Sequence, residues 1–212
     1  MSFQNRTVAG EQLAERIFKK VHAQKVLVLA IPRGGIPVAL PVARKLNAPL
    51  DVLVVRKLTP EGTDRPATGA LSAGGVQLLD GDTMEWFHLA PHTLNESHTL
   101  QMQALEKQEQ GYRSGLHPLN LSGLTVVLID DGMVTGATMR AAIQAVWYLG
   151  AKHLVVAVPQ ASRESIIAVQ GLVDEVVCLE TPVPYSTVRD GYAEPLGFTD
   201  AELSSMLREL SV

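Results

Sequence analysis

Two adjacent carboxylates, Asp130 and Asp131, stand directly after the apolar run Val126–Ile129 and before a loop of small and hydroxyl-bearing residues. That loop contains Gly132, Thr135, Gly136, Ala137 and Thr138, and a helical pattern begins after it. Carboxylates can accept hydrogen bonds from neighbouring sugar hydroxyls, while loop amides and threonine hydroxyls can donate to a phosphate at a helix N-terminus. The stretch therefore predicts a sugar-phosphate site.

Two other interpretations of the acidic pair exist: a solvated strand end followed by a helix cap, or a pair that holds magnesium. The loop has Gly-X-X-Thr-Gly-X-Thr spacing and no side-chain cation. This spacing favours close approach of backbone amides to an anion. The chain has no GxxxxGK[ST] motif, which disfavours a P-loop.

Two further polar segments follow predicted strands. Pro32-Arg33-Gly34-Gly35 comes after Lys25–Ile31, and Arg56-Lys57 comes after Leu50–Val55. The glycines permit unusual backbone angles, and arginine supplies a delocalised cation for phosphate. Each segment alone would be an ordinary turn or a pair of surface cations. If the sheet is parallel, however, all three segments emerge at the edge where such sheets bind ligands.

The elements that must position these residues alternate between strands and helices. Short apolar runs predict buried strands, and apolar residues spaced by three and four predict helices, including an N-terminal helix with Leu13, Ile17 and Phe18 inward. The pattern predicts an α/β fold with a doubly wound, mainly parallel sheet flanked by helices. The predicted strands are Lys25–Ile31, Leu50–Val55, Leu124–Ile129, His153–Val158 and Val173–Leu179.

Residues 1–212 are expected to form a single domain with two departures from the alternation. Residues 80–123 contain a polar, helical stretch and are expected to be an insertion over the site or in a dimer contact. Residues 180–198 form a Pro-rich loop with Tyr185 and Tyr192, where an aromatic face could stack on a ligand or cover the core edge. The last helix opens with Thr199 and Glu202 at capping-box spacing.

Composition narrows the function classes. The 212 residues are 46% hydrophobic, which suits one sizeable domain, and the net charge of −4 shows no nucleic-acid footprint. The single cysteine, Cys178, excludes a disulfide framework and fits a buried thiol in a reducing compartment. No apolar run is long enough to span a membrane, and the first residues show no apolar h-region, so no signal peptide and a cytoplasmic location are expected.

The stretch VVLIDDGMVTGATM resembles the signature of type I phosphoribosyltransferases, which bind 5-phosphoribosyl-1-pyrophosphate (PRPP) at this point. The segments AGEQLA, IPRGGIPVA, LDVLVVRKL and DEVVCL are also present, in an order similar to that of a group of predicted phosphoribosyltransferases without an assigned substrate. The resemblance implies the type I phosphoribosyltransferase fold with a helical hood. It also implies PRPP and Mg²⁺ as ligands, a small-molecule acceptor such as a nucleobase, and a homodimer.

The resemblance also implies roles for individual residues. Asp130 and Asp131 would hold the ribose hydroxyls and reach the metal indirectly, and with Lys57 they would be the catalytic residues. The segment Thr59–Ala70 resembles the mobile loop that closes over the site. The 5-phosphate would bind the amides of Val134, Thr135, Gly136, Ala137 and Thr138. The pyrophosphate would bind Arg33, Gly34, Gly35, Arg56 and Lys57. The acceptor would bind Tyr185 and Tyr192.

Two departures from related enzymes bear on the chemistry. Val134 occupies the position at which the hypoxanthine and guanine enzymes have an aspartate that handles the base proton. Arg65 and Pro66 precede Ala67–Ala70, whereas the similar group of predicted phosphoribosyltransferases tends to have an acidic residue there. No residue is a clear general base. The expected function is Mg-assisted phosphoribosyl transfer to a nucleobase or another nitrogen nucleophile. The alternative is a non-catalytic PRPP- or nucleotide-binding regulator.

Overall fold

The computed structural model describes residues 3–22, 25–58, 69–72, 76–79, 95–113 and 119–210. Its strands are β1 Val26–Ala30, β2 Leu50–Val52, β3 Val55–Leu58, β4 Gly69–Ser72, β5 Val76–Leu79, β6 Thr125–Ile129, β7 His153–Gln160 and β8 Glu175–Glu180. Five parallel strands form the central sheet, in the spatial order β2-β1-β6-β7-β8. Strands β3, β4 and β5 form a separate antiparallel sheet of three strands.

Helices cover both faces of the central sheet, which explains why its strands are apolar at nearly every position. Successive side chains of a strand point to opposite faces. The helices are α1 Arg6–Phe18, α2 Gly35–Leu46, α3 Asn95–Arg113, α4 Ala137–Tyr148, α5 Arg163–Gln170 and α6 Asp200–Leu210, and Val188–Gly191 forms a short 3₁₀ helix. In β6, Val127 and Ile129 join the core under α1, α2 and α6, whereas Val126 and Leu128 join the core under α4 and α5.

The strand order confirms the predicted doubly wound parallel sheet and adds its switch point. From β1 the chain crosses through α2 to β2 on one side, and from β6 it continues through β7 to β8 on the other side. The order reverses between β1 and β6. Ligands in sheets of this kind bind beyond the carboxyl ends of the strands at such a point.

One predicted strand boundary was wrong. The apolar run Leu50–Val55 does not form a single strand: β2 ends at Val52, and Val55 already belongs to β3. Arg56 and Lys57 consequently lie inside β3, opposite Leu71 and Ala70 of β4. Strand β3 pairs antiparallel with β4, and this pairing accounts for the split.

Local signals at the helices agree with the structure in most places. Thr199 and Glu202 form the predicted capping box, in which the amide of Thr199 donates to Glu202 Oε2 at 2.8 Å. Helix α2 begins at Gly35 and continues through Pro41 to Leu46. Phe18 differs from its predicted inward position, because its side chain is 50% exposed.

Helix α3 accounts for the helical part of the expected insertion at residues 80–123, and residues 80–94 and 114–118 lie outside the described residues. The helix packs against β2, β3 and α6. Its last residue, Arg113, donates from Nε and Nη2 to the two carboxylate oxygens of Asp51 in β2, at 2.8 and 3.0 Å. Among the helices that the structure describes, none is long and apolar enough to cross a membrane.

Candidate active site

The loops that follow β1 and β6 meet at the switch point of the sheet. The amide of Ile31 donates to the carbonyl of Ile129 at 2.8 Å, which ties the two strand ends together. A Cβ placed on Gly34 would lie within 3.0 Å of both carboxylate oxygens of Asp131, and one on Gly35 would lie 2.7 Å from the carbonyl of Ile129. The two glycines therefore allow the loop after β1 to contact the acidic pair, as the sequence predicted.

The two carboxylates have different environments although they are adjacent in sequence. Asp130 Oδ1 accepts a hydrogen bond from the amide of Asp131 at 2.8 Å. Burial, and next the charge of Asp131, raise the pKa of the Asp130 carboxyl well above its usual range. Asp131 instead forms an ion pair, in which Arg6 Nε lies 2.6 Å from Asp131 Oδ2.

Tyr192 contacts the backbone of the same aspartate, Asp131. Its hydroxyl donates to the backbone carbonyl of Asp131 at 2.7 Å, and its ring lies under the guanidinium of Arg6, 4.4 Å from ring centroid to Cζ. Burial, and next the charge of Asp131, raise the pKa of the Tyr192 hydroxyl, so this group remains a donor. With Tyr192 only 4% exposed, these contacts favour the core-edge interpretation, and its contact with an acceptor stays a prediction.

The loop Val134–Thr138 leads into the N-terminus of α4. Gly136 occupies the N-cap position with φ 72° and ψ 0°, a left-handed conformation that glycine adopts without steric cost. Thr135 Oγ1 accepts from the amide of Ala137 at 3.4 Å. The first amides of a helix lack partners within that helix, and the macrodipole favours an anion there. The loop thus leads into a helix N-terminus that could accept an anion.

Helix α5 holds this loop through two serines. Ser162 Oγ donates to the carbonyl of Val134 at 2.7 Å, and the buried Ser165 Oγ donates to the carbonyl of Met133 at 3.0 Å. Ser162 also caps α5 by accepting from the amide of Ser165 at 2.9 Å. The carbonyl oxygens of Met133 and Val134, which would repel an anion, are therefore held by protein donors.

The cationic residues predicted to bind pyrophosphate are Arg33, Arg56 and Lys57. The exposed Arg33 donates from Nη2 to the carbonyl of Phe198 at 2.8 Å, and its Nε lies 3.4 Å from Asp200 Oδ1. The structure describes the backbone of Arg56 and Lys57 in β3 but not their side chains. Residues 59–68, most of the expected mobile loop, lie outside the described residues, whereas Gly69 and Ala70 begin β4.

Tyr185 lies beside Gly132, the residue that follows the acidic pair. Its hydroxyl is close to Gly132, because a Cβ placed on Gly132 would lie within 3.0 Å of it. Within the described residues, neither this hydroxyl nor Gln160 Oε1 has a hydrogen-bond partner, and both atoms are buried. Tyr185 also lines a cavity of about 220 Å³ with Ser162, Arg163, Glu164, Pro182 and Val183.

Sequence reasoning missed several supporting residues. Arg6 is one of two arginines in the amphipathic helix α1, and nothing local distinguishes it from the exposed Arg16. Ser162 could have been noticed as a helix cap, since it precedes the α5 pattern. Gln160 ends a buried strand with a fully buried amide whose Nε2 donates to the carbonyl of Val188 at 2.7 Å.

Metal binding by protein atoms alone receives little support from the part of the chain that the structure describes. No group of three or more acidic, histidine or cysteine side chains there could hold a metal ion. Asp130 and Asp131 provide carboxylate oxygens, the donor type that Mg²⁺ prefers. An ion that keeps several waters and binds substrate oxygens would fit this donor set.

Comparison with known proteins agrees with this geometry. The model of the family described as phosphoribosyl transferase domain matches residues 4–194. Two Mycobacterium tuberculosis proteins with the provisional name phosphoribosyl transferase are 38% identical over 205 residues, which is 97% of this chain and 46% of each relative. The chain thus spans about half the length of these curated relatives.

Two solved structures extend the comparison. The crystal structure of TT1426 from Thermus thermophilus is 35% identical, with a TM-score of 0.88 and complete coverage of both chains. A hypothetical protein from Neisseria gonorrhoeae has a TM-score of 0.51 at 13% identity, covering 99% of this chain and 98% of its own, which supports the fold alone.

Proposed function

Because the chain belongs to the phosphoribosyl transferase domain family, we propose that it transfers the 5-phosphoribosyl group of PRPP to a nucleobase or another nitrogen nucleophile. In this reaction the nitrogen lone pair forms a bond to C1 of the ribose, the bond from C1 to pyrophosphate breaks, and pyrophosphate leaves with the electron pair. The observation that carries the proposal is the contact of the acidic pair with both anion-binding loops at the switch point. Asp131 contacts Gly34, and Gly132 leads directly into the loop before α4.

The ligand would extend across the carboxyl ends of β1 and β6. Its 5-phosphate would bind the amides of Val134–Thr138 at the start of α4, and its ribose hydroxyls would donate to Asp130 and Asp131. Its pyrophosphate would meet the loop of Gly34 and Gly35, chiefly at the amide of Gly34, because the amide of Gly35 already donates to the carbonyl of Ile31 at 3.0 Å. Arg33, Arg56 and Lys57 are the proposed cations of the pyrophosphate side, and the exposed Arg33 is already on the same loop as the glycines.

As C1 separates from pyrophosphate, positive charge develops on the ribose ring and negative charge on the leaving group. Asp130 and Asp131 would stabilise the first charge, and the cations would stabilise the second. Bound Mg²⁺ would supply further positive charge to the pyrophosphate, with Asp130 and Asp131 as its nearest carboxylates, through ribose hydroxyls or water. The side chain of Val134 cannot accept the proton of the nucleophile, so the acceptor must lose it elsewhere.

The acceptor is proposed to lie against Tyr185. Its ring lines a cavity beside the first turn of α5, and its hydroxyl has no partner within the described part of the chain. Burial, and next the charge of Asp131, raise the pKa of this hydroxyl, so it can donate to an acceptor heteroatom. Tyr185→Phe should raise the KM for the acceptor more than the KM for PRPP, because the change removes a donor that the proposal assigns to the acceptor, although the hydroxyl also lies beside Gly132.

Release of pyrophosphate from Mg-PRPP tests the proposal directly. The assay uses purine and pyrimidine bases one at a time and a reaction without base, with Asp131→Asn as the inactive comparison. Release that depends on one base supports the transferase and names its acceptor. Binding of Mg-PRPP without release under any condition would instead support the non-catalytic binding protein. Absence of binding would overturn both. The cytoplasmic location and the homodimer stay predictions.

A further inference from the structure

We propose that Arg6 is a positioning residue of this site, which holds the Asp131 carboxylate against the Gly34 loop and balances its charge. This inference rests on the proposed function, because it gives Arg6 a role toward PRPP. Arg6 lies in the first turn of α1, 125 positions away from Asp131 in the chain. Neither the acidic signature nor the two anion-binding loops contain it.

The contact between the two side chains is short and largely shielded from water. Arg6 Nε lies 2.6 Å from Asp131 Oδ2, and the two side chains are 9% and 14% exposed. An ionised donor and acceptor at this distance form a strong hydrogen bond, and limited access of water reduces its screening. This pair therefore differs from an ordinary surface ion pair, which contributes little.

Arg6 is itself fixed from two directions. Its guanidinium lies over the ring of Tyr192, 4.4 Å from the centroid, while the Tyr192 hydroxyl donates to the backbone carbonyl of Asp131 at 2.7 Å. The chain on either side is also tied down. The amide of Phe3 donates to the carbonyl of Gly191 at 3.0 Å, and the amide of Ala193 donates to the carbonyl of Phe3 at 3.0 Å. Arg6 and Tyr192 thus hold the side chain and the backbone of Asp131 as one unit.

The position of this unit gives it a role in substrate binding. Asp131 Oδ2, the oxygen that Arg6 binds, is also an oxygen that a Cβ on Gly34 would contact. A multiply charged anion is expected at that loop, next to two carboxylates. The guanidinium of Arg6 provides one compensating charge at the point where the repulsion would be greatest. It also leaves Asp131 Oδ1 without a competing side-chain donor among the described residues.

Three variants separate charge from orientation. Arg6→Gln removes the charge, Arg6→Lys keeps the charge but loses the planar group that lies on the ring, and Tyr192→Phe keeps the ring but removes the hydrogen bond to Asp131. Arg16→Gln is the matched control, because Arg16 belongs to the same helix and its side chain is exposed.

The affinity of each folded variant for Mg-PRPP is measured by calorimetry, together with kcat and KM for the reaction. Arg6→Gln should weaken binding roughly 10- to 100-fold, the range expected if the displaced Asp131 carboxylate no longer accepts a hydrogen bond from the ribose. Arg6→Lys should recover part of the loss, and Arg16→Gln should bind as the wild type does. A purely structural role would instead lower the urea midpoint of Arg6→Gln without changing the affinity of its folded fraction.

A thermodynamic cycle with Asp131→Asn keeps the inference separate from the proposed function. If Arg6 acts through Asp131, Arg6→Gln should cost less stability in the Asp131→Asn background than in the wild type. This urea experiment needs no PRPP, so it tests the coupling of Arg6 to Asp131 separately: a wild type that fails to bind PRPP would remove the proposed function and the role of Arg6 toward PRPP, while coupling in the cycle would still establish the pair. Additive losses in the cycle, or Arg6→Gln affinity within twofold of the wild type, would overturn the role of Arg6.

Discussion

Replacing Gly34 by alanine tests the close approach between the two loops of the site. Gly34 has φ −64° and ψ −31°, angles that alanine adopts readily, so the backbone itself gives no reason for strain. The new Cβ, however, would lie within 3.0 Å of both carboxylate oxygens of Asp131, a separation that real Cβ atoms essentially never show. Any loss of stability must therefore come from this contact.

The expected loss in the free energy of unfolding follows from the hydrogen bond between Asp131 and Arg6, which the new Cβ would disturb. If the Asp131 carboxylate moves away, its 2.6 Å hydrogen bond with Arg6 breaks. A hydrogen bond to a charged group contributes about 1.5–3 kcal/mol. Alanine restricts the unfolded chain more than glycine does, which offsets about 0.4–1 kcal/mol of this. We expect Gly34→Ala to lower the free energy of unfolding by about 0.5–2.6 kcal/mol, and Tm by roughly 1–10 °C in a chain of this length.

Urea unfolding followed by circular dichroism measures the change, with Gly171→Ala as the matched control. Gly171 also has an ordinary φ of −82°, and a Cβ there would have nothing within 4 Å. The double variant Gly34→Ala, Arg6→Gln should lose little more than Arg6→Gln alone, because the same hydrogen bond is already absent. Equal stability of Gly34→Ala and Gly171→Ala, or full additivity in the double variant, would refute the reasoning.

Three further predictions concern the parts that support the site. Ser165→Ala should lower the free energy of unfolding by about 1 kcal/mol in urea, because the carbonyl of Met133 loses a buried donor; an unchanged midpoint would contradict this. Arg113→Met should lower it by about 3–5 kcal/mol, because Asp51 then keeps a buried charge without its bidentate partner, whereas a loss below about 1 kcal/mol would show that the pair is dispensable. Burial raises the pKa of the Cys178 thiol to about 11. At a pH of about 8, an aromatic disulfide reagent should therefore modify the native chain at least about tenfold more slowly than the urea-unfolded chain. Equal rates would contradict the shielding of this thiol in the native chain.

The central sheet and the acidic loop could be predicted because their signals are local. A strand that is buried on both faces must be apolar at nearly every position, and β6 with the sequence TVVLI shows this directly. The run of small residues that follows it can only be a tight loop, and the apolar stripe of α4 comes next. Gly34 and Gly35 could be placed at the same edge because parallel strands end together.

Other features depend on contacts between distant segments, and the sequence alone could not supply them. The run Leu50–Val55 is uniformly apolar apart from Asp51, so its division between β2 and β3 depends on pairing with β4, which no local pattern reveals. Arg6 has the periodicity of an ordinary helix residue, and its partner lies 125 positions away. Tyr192 could be recognised as an aromatic in the right loop, but only the fold shows that its hydroxyl binds the Asp131 carbonyl.

These long-range contacts give two neighbouring carboxylates different partners. Burial, and next the charge of Asp131, raise the pKa of the Asp130 carboxyl, whereas Asp131 forms an ion pair in which Arg6 Nε lies 2.6 Å from Oδ2. The partner of Asp131 does not belong to the acidic motif. It lies in the first turn of α1 and packs on Tyr192, and a backbone hydrogen bond between Phe3 and Gly191 joins the two segments. Segments distant in sequence from the acidic motif therefore supply a charge to the site, and with the proposed role of Arg6, changes there should alter ligand affinity as directly as changes in the loops themselves.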